Sequence, residues 1–386
     1  MNEQALVAMR RESRFRLIGA FILTLACLAT FYGFGWDTEW HADVGPDTFW
    51  TEPHALIYSG MGGAGFISLF MVMATTRKFR RKVEGVDENT TTPFIGGHAP
   101  MGFFFAGFGS LSVFIGGCYD LWWHEIYGFD VTLFSPPHFG LIFGGLLYGV
   151  GGAYVYASEV NRARVHGLKL YERLATLGFI LQIGIPLSTS MVFMVVCLDE
   201  VPQLAGLSTY TMLGAVVVPL GLMLAASFIR RTGAVTLTGL CVLTLKWTGM
   251  SYSIWSVKWL ANELQLPYKE DALFLPLVTG FMLEYIVVVA IIMDVILYLG
   301  EKFGWSRRTA VSLAGAVGMF TSSLIDTDWI RKFTLYLNTS KPEQTETILA
   351  AIQQGFWLTA AVSAVIAAIV AWLGWRIGIA FRYTDR

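Results

Sequence analysis

An all-α, polytopic transmembrane helix bundle is the fold class this 386-residue chain predicts, and three observations carry it. Hydrophobic residues make up 55% of the chain and charged residues 14%, a balance too apolar for an ordinary soluble domain. Apolar runs of about 20 residues recur along it, the length needed to cross a hydrocarbon core about 30 Å thick. Basic residues collect in alternate connections between those runs, as cytoplasmic loops do.

Taken in order, the runs predict about ten spanning helices: 16–37, 54–75, 98–120, 138–157, 173–197, 207–229, 233–252, 273–299, 308–325 and 351–376. Arg10, Arg11, Arg14 and Arg16 precede the first, which reads as a retained helix because no small-residue cleavage site comes before Trp36. Gly60, Gly62, Gly63 and Gly65 in the second run, and Gly144, Gly145, Gly149, Gly151 and Gly152 in the fourth, permit close helix contact. The basic ends are the N-terminus, 77–82, 162–173, 230–231, 302–308 and the tail from Arg376. Both termini are therefore expected in the cytoplasm of a prokaryotic cell, with the stretches 38–53, 121–137, 198–206, 253–272 and 326–350 outside. Trp255, Trp259, Trp329 and Phe333 fall in the two long outer stretches, where aromatic rings rest at a membrane interface.

The chain divides at the basic stretch after residue 158. A four-helix half, 1–158, holds five of the six histidines, four of them in a repeated stretch, and a six-helix half, 159–386, holds one, His166, in the basic stretch itself. Net charge is −1, so no global field points to nucleic acid or an acidic substrate, and no nucleic-acid partner is expected beside the lipid bilayer. The four cysteines, Cys27, Cys118, Cys197 and Cys241, lie in or beside apolar runs without a C-x-x-C pair and read as buried thiols.

The first half carries one stretch twice. Asp37, Trp40, His41, Gly45, Asp47, Pro53 and His54 recur in the same order as Asp120, Trp123, His124, Gly128, Asp130, Pro137 and His138. Asp and the first His stand four apart, which on a helix puts both on one face. Pro53 and Pro137 suit the first turn of the next helix, and Gly45 and Gly128 let the connection turn back. If the two helices pack antiparallel, Asp, His and His converge at the outer membrane end. An isolated interfacial histidine is more often a hydrogen-bonded structural residue. Two spaced Asp-His-His sets are costly near lipid unless paired or metal-bound, which favours metal. Such a set leaves coordination positions open; imidazole suits copper, zinc and iron alike. Asp47 and Asp130 are candidates to hold an imidazole N–H from behind, or to cap the loop.

The double spacing resembles the C subunit of particulate methane and ammonia monooxygenases over about residues 30–150. The resemblance implies a copper site at Asp37, His41 and His54, with a catalytic role, and a second site that includes His124 and His138. It also implies oxidation of a small apolar substrate with dioxygen, and partner membrane subunits or a soluble copper subunit. Position 120 is Asp where that family has Asn, and six helices follow residue 158 without a matching motif.

Lys246, Glu284 and Asp294 lie inside apolar runs, and Lys246 with Glu284 is expected as an intramembrane polar pair or part of an ion path. Walker, G-x-S-x-G and H-E-x-x-H motifs are absent. The reading is an integral membrane metalloprotein: a copper-dependent monooxygenase-like oxidoreductase with its metal motifs facing the periplasm. The alternative is a transporter or a metal-delivery or assembly protein that binds metal without turnover.

Overall fold

The computed structural model describes residues 3–45, 50–86, 91–128, 135–201, 203–268, 285–325 and 342–384, with side chains 192, 193 and 195–200 outside the description. Among these residues the protein is all-α apart from two short hairpins. The helices are α1 (Glu3–Asp43), α2 (Glu52–Arg80), α3 (Met101–Tyr127), α4 (Pro136–Val165), α5 (Lys169–Glu200), α6 (Thr209–Ile229), α7 (Ala234–Glu263), α8 (Ile286–Lys302), α9 (Arg307–Ile325), α10 (Thr345–Gln354) and α11 (Phe356–Phe381). One hairpin pairs β1 (Thr92–Phe94) with β2 (Gly97–Ala99), the other β3 (Gln203–Leu204) with β4 (Leu207–Ser208).

Seven described helices are long and apolar enough to cross a membrane: α1 to α4, α5 through Met191, α6 and α11. The other three expected crossings coincide with α7, α8 and α9; the described parts of α7 and α9 fall short in apolarity, and residues 273–284 of the crossing at α8 lie outside the described residues. α7 is 30 residues long yet carries Thr236, Thr238, Thr244, Lys246 and Thr248, whereas α8 has 17 described residues. α9 opens on Arg307 and Arg308. α1, at 41 residues, extends about 62 Å at 1.5 Å per residue, so both its basic start and its Asp37–His41 end project past a core about 30 Å thick.

The chain forms two compact units, Met1–Phe34 with Thr48–Pro186 and Ala380–Arg386, and Gly35–Asp47 with Leu187–Ile379. In the first unit, glycine sets the helix spacing. A Cβ on Gly109 of α3 would stand 2.5 Å from Tyr148 N and 2.6 Å from the Gly144 carbonyl of α4. One on Gly151 would stand 2.5 Å from Ala106 N and 2.7 Å from the Gly102 carbonyl. Gly102, Gly109 and Gly116 recur every seventh residue, two turns apart on one face, so α3 and α4 run antiparallel with backbones in contact. α1 and α2 meet the same way: a Cβ on Gly33 would stand 2.9 Å from Ile57 N, and one on Gly60 would stand 2.6 Å from the Ala26 carbonyl.

At the other end of these helices lies a buried charge cluster. Arg16 and Arg162, expected among the basic ends, are 0% and 1% exposed. Arg16 bonds Glu12 at 3.0 Å and Glu159 at 3.4 Å, and Lys78 bonds the other Glu12 oxygen at 2.8 Å. Arg162 donates to Ser13 and to the Gly85 carbonyl. α4 continues to Val165, so Glu159 and Arg162 face helices instead of water, and buried charge persists because it is paired.

In the second unit, Trp36 is buried edge-on against Tyr252, 6.1 Å between centroids, and packs on Trp259. Trp255 and Trp259 belong to α7, which runs on through Glu263, so the expected outer stretch 253–272 begins as helix. Trp329 and Phe333 lie outside the described residues. Asp294 is 9% exposed and accepts from the Thr236 backbone N–H at 2.8 Å and its hydroxyl at 2.6 Å.

Candidate metal centre

Pro136 and Pro137 occupy the first turn of α4, where a missing N–H costs nothing, and Pro53 does the same in α2. These starts set His138 and His54 one or two residues inside their helices. Asp120 and His124 occupy the last two turns of α3, and Asp37 and His41 those of α1. Two Asp/His/His groups result, Asp37 with His41 and His54, and Asp120 with His124 and His138. Either group could bind a metal ion, and in the second, which lies within the first unit, the three ligand atoms lie within 4.8 Å of one another.

The second group shows its geometry in full. His124 Nε2 and His138 Nε2 each lie 3.5 Å from the same oxygen, Asp120 Oδ1. That is longer than a direct N–H···O bond of about 2.9–3.0 Å. It matches the edge of a tetrahedron, about 3.4 Å, for ligands about 2.1 Å from a common ion. The donor set and its spacing therefore fit a first-row transition metal. His124 Nδ1 meets the Gly128 carbonyl at 3.2 Å. A carbonyl can only accept, so Nδ1 carries the proton in that bond and Nε2 is the ring atom placed to ligate an ion. Gly128 can serve because it closes α3 at φ 82°, ψ −179°, a conformation open essentially to glycine. Asp120 is buried and both rings are partly covered, with side chains 12%, 21% and 20% exposed.

In the first group, His41 Nε2 lies 3.7 Å from Asp37 Oδ1, and the His41 side chain is 44% exposed. His54 is oriented by the Thr51 hydroxyl, 3.3 Å from Nδ1, and stacks on Tyr58 one turn away. Trp40, like Trp36, is buried packing. Trp123 packs tilted against Tyr127, 4.4 Å between centroids, beside the second group.

Asp47, Asp130 and Glu284 lie outside the described residues. Lys246, for which Glu284 was the expected partner, is buried on α7. His98, expected to open the third crossing, instead sits in β2, stacked at 4.1 Å on Phe79, because α3 begins only at Met101 after Pro100. Cys118, read as a buried thiol, is exposed on α3, whereas Cys27 is buried.

One feature escaped sequence reasoning. An apolar cleft of about 410 Å³ opens between α3 and the start of α4. Phe108, Leu111, Ile115, Gly116, Tyr119 and Pro137 are among its walls. Gly116 precedes Asp120 by one turn and Pro137 precedes His138, so the cleft adjoins the second group. Its only advance signal was Phe108, Leu111, Ile115 and Tyr119, apolar or aromatic residues about one turn apart.

Compared with protein-family models, curated proteins and solved structures, the chain finds no match.

Proposed function

We propose that the protein is a copper-dependent membrane oxidoreductase of the monooxygenase kind, with the Asp120–His124–His138 group as a working metal centre. The observation that carries this is one carboxylate oxygen 3.5 Å from two imidazole nitrogens, beside an apolar cleft. Three ligands leave a coordination position for an exogenous molecule. Copper, when bound there, would supply one-electron and dioxygen chemistry, and zinc or iron suits the same donors. The chain's own residues hold the ion, fix the tautomer of His124 through Gly128, and offer a water-poor surface lined by Leu111, Ile115 and Tyr119. The resemblance to the monooxygenase C subunit supports a small apolar substrate, a soluble or membrane-bound partner subunit and a periplasmic site. Asp37, His41 and His54 form the companion centre, to which that resemblance assigns catalysis.

We read the two helix pairs as duplicates. Gly19 and Gly33 precede Gly102 and Gly116 by the same 83 residues that separate Asp37 from Asp120. Gly60 precedes Gly144 by the same 84 that separate His54 from His138. The contact seam therefore repeats together with the ligands.

A second reading, metal delivery without turnover, is favoured by the exposure of His41, which leaves one imidazole open to exchange. Metal analysis of the purified chain, followed by an oxygen-uptake assay with short alkanes, separates the two. Bound copper with uptake lost in Asp120→Ala selects the oxidase. Bound metal without turnover selects delivery, and a protein that takes up no transition metal sinks both.

A further inference from the structure

The hairpin between α2 and α3 carries a conflict of residue and backbone. Thr92 to Phe94 pair with Gly97 to Ala99, leaving Ile95 and Gly96 as a two-residue turn with φ 46° and 74°. Both values are positive, as in a type I′ turn, whose first position favours Asn, Asp or Gly. A β-branched residue there is an outlier, and isoleucine is 78% exposed at the tip. A soluble hairpin gains nothing from such a residue.

Its surroundings supply the reason. Phe94 packs edge-on against Phe104 and Phe108 of α3, at 5.3 and 5.9 Å, and Phe108 is itself exposed. The hairpin thus continues the apolar outer face of a helix long enough to cross a membrane. α2 is 29 residues, about 43 Å, which equals the bilayer with its headgroup layers, so the last turn of α2 stands at headgroup depth. That turn is basic: Arg77, Arg80, Arg81 and Lys82 are exposed. The Arg80 guanidinium uses one N–H on the Gly96 carbonyl at 2.9 Å, which holds it over the tip. From 77 to 88 the chain carries five cations and three acids, Glu84, Asp87 and Glu88, of which the last two lie outside the described residues.

We infer that this hairpin and the end of α2 form a binding site for an anionic phospholipid, with Ile95 and Phe94 against the acyl chains and Arg80 and Arg81 on the phosphate. Planar guanidinium groups suit phosphate oxygens, and an apolar finger beneath them selects a lipid over a free anion. Exposed apolar surface at the tip, costly in water, becomes favourable in lipid.

The test uses the full chain in neutral detergent, supplied with phosphatidylglycerol, phosphatidylcholine or inorganic phosphate, with lipid retention read by native mass spectrometry and unfolding by thermal shift. Retention of phosphatidylglycerol several-fold over phosphatidylcholine, reduced to parity in Arg80→Gln/Arg81→Gln, supports the site. Ile95→Asn relieves the turn, so its melting point in detergent stays level or rises while the phosphatidylglycerol effect shrinks. Equal retention of the two lipids by the wild type overturns the inference. So does an equal shift with inorganic phosphate. A loss of melting temperature in Ile95→Asn that is the same with and without lipid does likewise, because Ile95 would then serve the turn alone.

Discussion

The two Asp/His/His groups use the same residues and differ in what holds them. In the second, the carboxylate is buried, its oxygen is shared by two imidazoles at 3.5 Å, and a glycine carbonyl locks His124. In the first, the Asp37–His41 separation is 3.7 Å, His41 is 44% exposed, and the oriented ring is His54, through Thr51. A drier site strengthens ion–ligand attraction and slows exchange with water. The lesson is that ligand identity is repeated in this chain while ligand support is not. We expect the second group to retain its ion under conditions that strip the first.

The strongest way to break this comparison is Asp120→Ala. It removes the oxygen both imidazoles face, so metal affinity at the second group should fall by about 100-fold or more, given that losing even an orienting partner costs about 10–100-fold. Titration of the apoprotein with copper should then show one class of site, while Asp37→Ala leaves the tighter class intact. If Asp37→Ala abolishes both classes, the groups are not independent and the comparison fails.

Next comes the seam. Gly109→Leu drives a side chain into the α4 backbone, with overpacking that costs about 1–3 kcal/mol. Thermal unfolding in detergent should register it, together with loss of metal at the second group, since His138 moves away from Asp120. Gly145→Ala is the control: the nearest atom to its Cβ would be Tyr148 Cε1 at 3.8 Å. It should stabilise α4 by about 0.5–1 kcal/mol and leave metal content unchanged.

A smaller effect is expected at the glycine that closes α3. Gly128→Ala forces alanine into a glycine-only conformation and displaces the carbonyl that holds His124 Nδ1. Copper affinity should drop by about 10-fold with the ligands themselves intact. Unchanged affinity would show that His124 needs no support.

Smallest is the contrast between single histidines. His124→Ala should cost more copper affinity than His41→Ala, because the wetter ring is more easily replaced by water. Equal losses in a copper titration would erase the distinction between the two groups.

Much of this was legible beforehand, and for identifiable reasons. Proline has one good position in a helix, so Pro53 and Pro137 marked helix starts. Apolar runs have a minimum length in lipid, so the long helices stood out. Other features had no local signature. Arg16 and Arg162 read as loop charges, because nothing in their neighbourhood announces that Glu12 and Glu159 will cover them. His98 read as a helix start because a three-residue strand is too short for any periodicity.

By itself, the sequence determined the helical character of the chain, the doubling of the motif, and which six side chains were fit to hold an ion, since these follow from composition, spacing and side-chain chemistry. Only the tertiary structure decided that one carboxylate oxygen faces two imidazoles, that the Gly128 carbonyl meets His124 Nδ1, and that an apolar cleft adjoins the second group. Those depend on how closely α3 and α4 approach. That approach is fixed by glycines whose contacts lie 24 to 53 residues away in sequence, where no local pattern reaches.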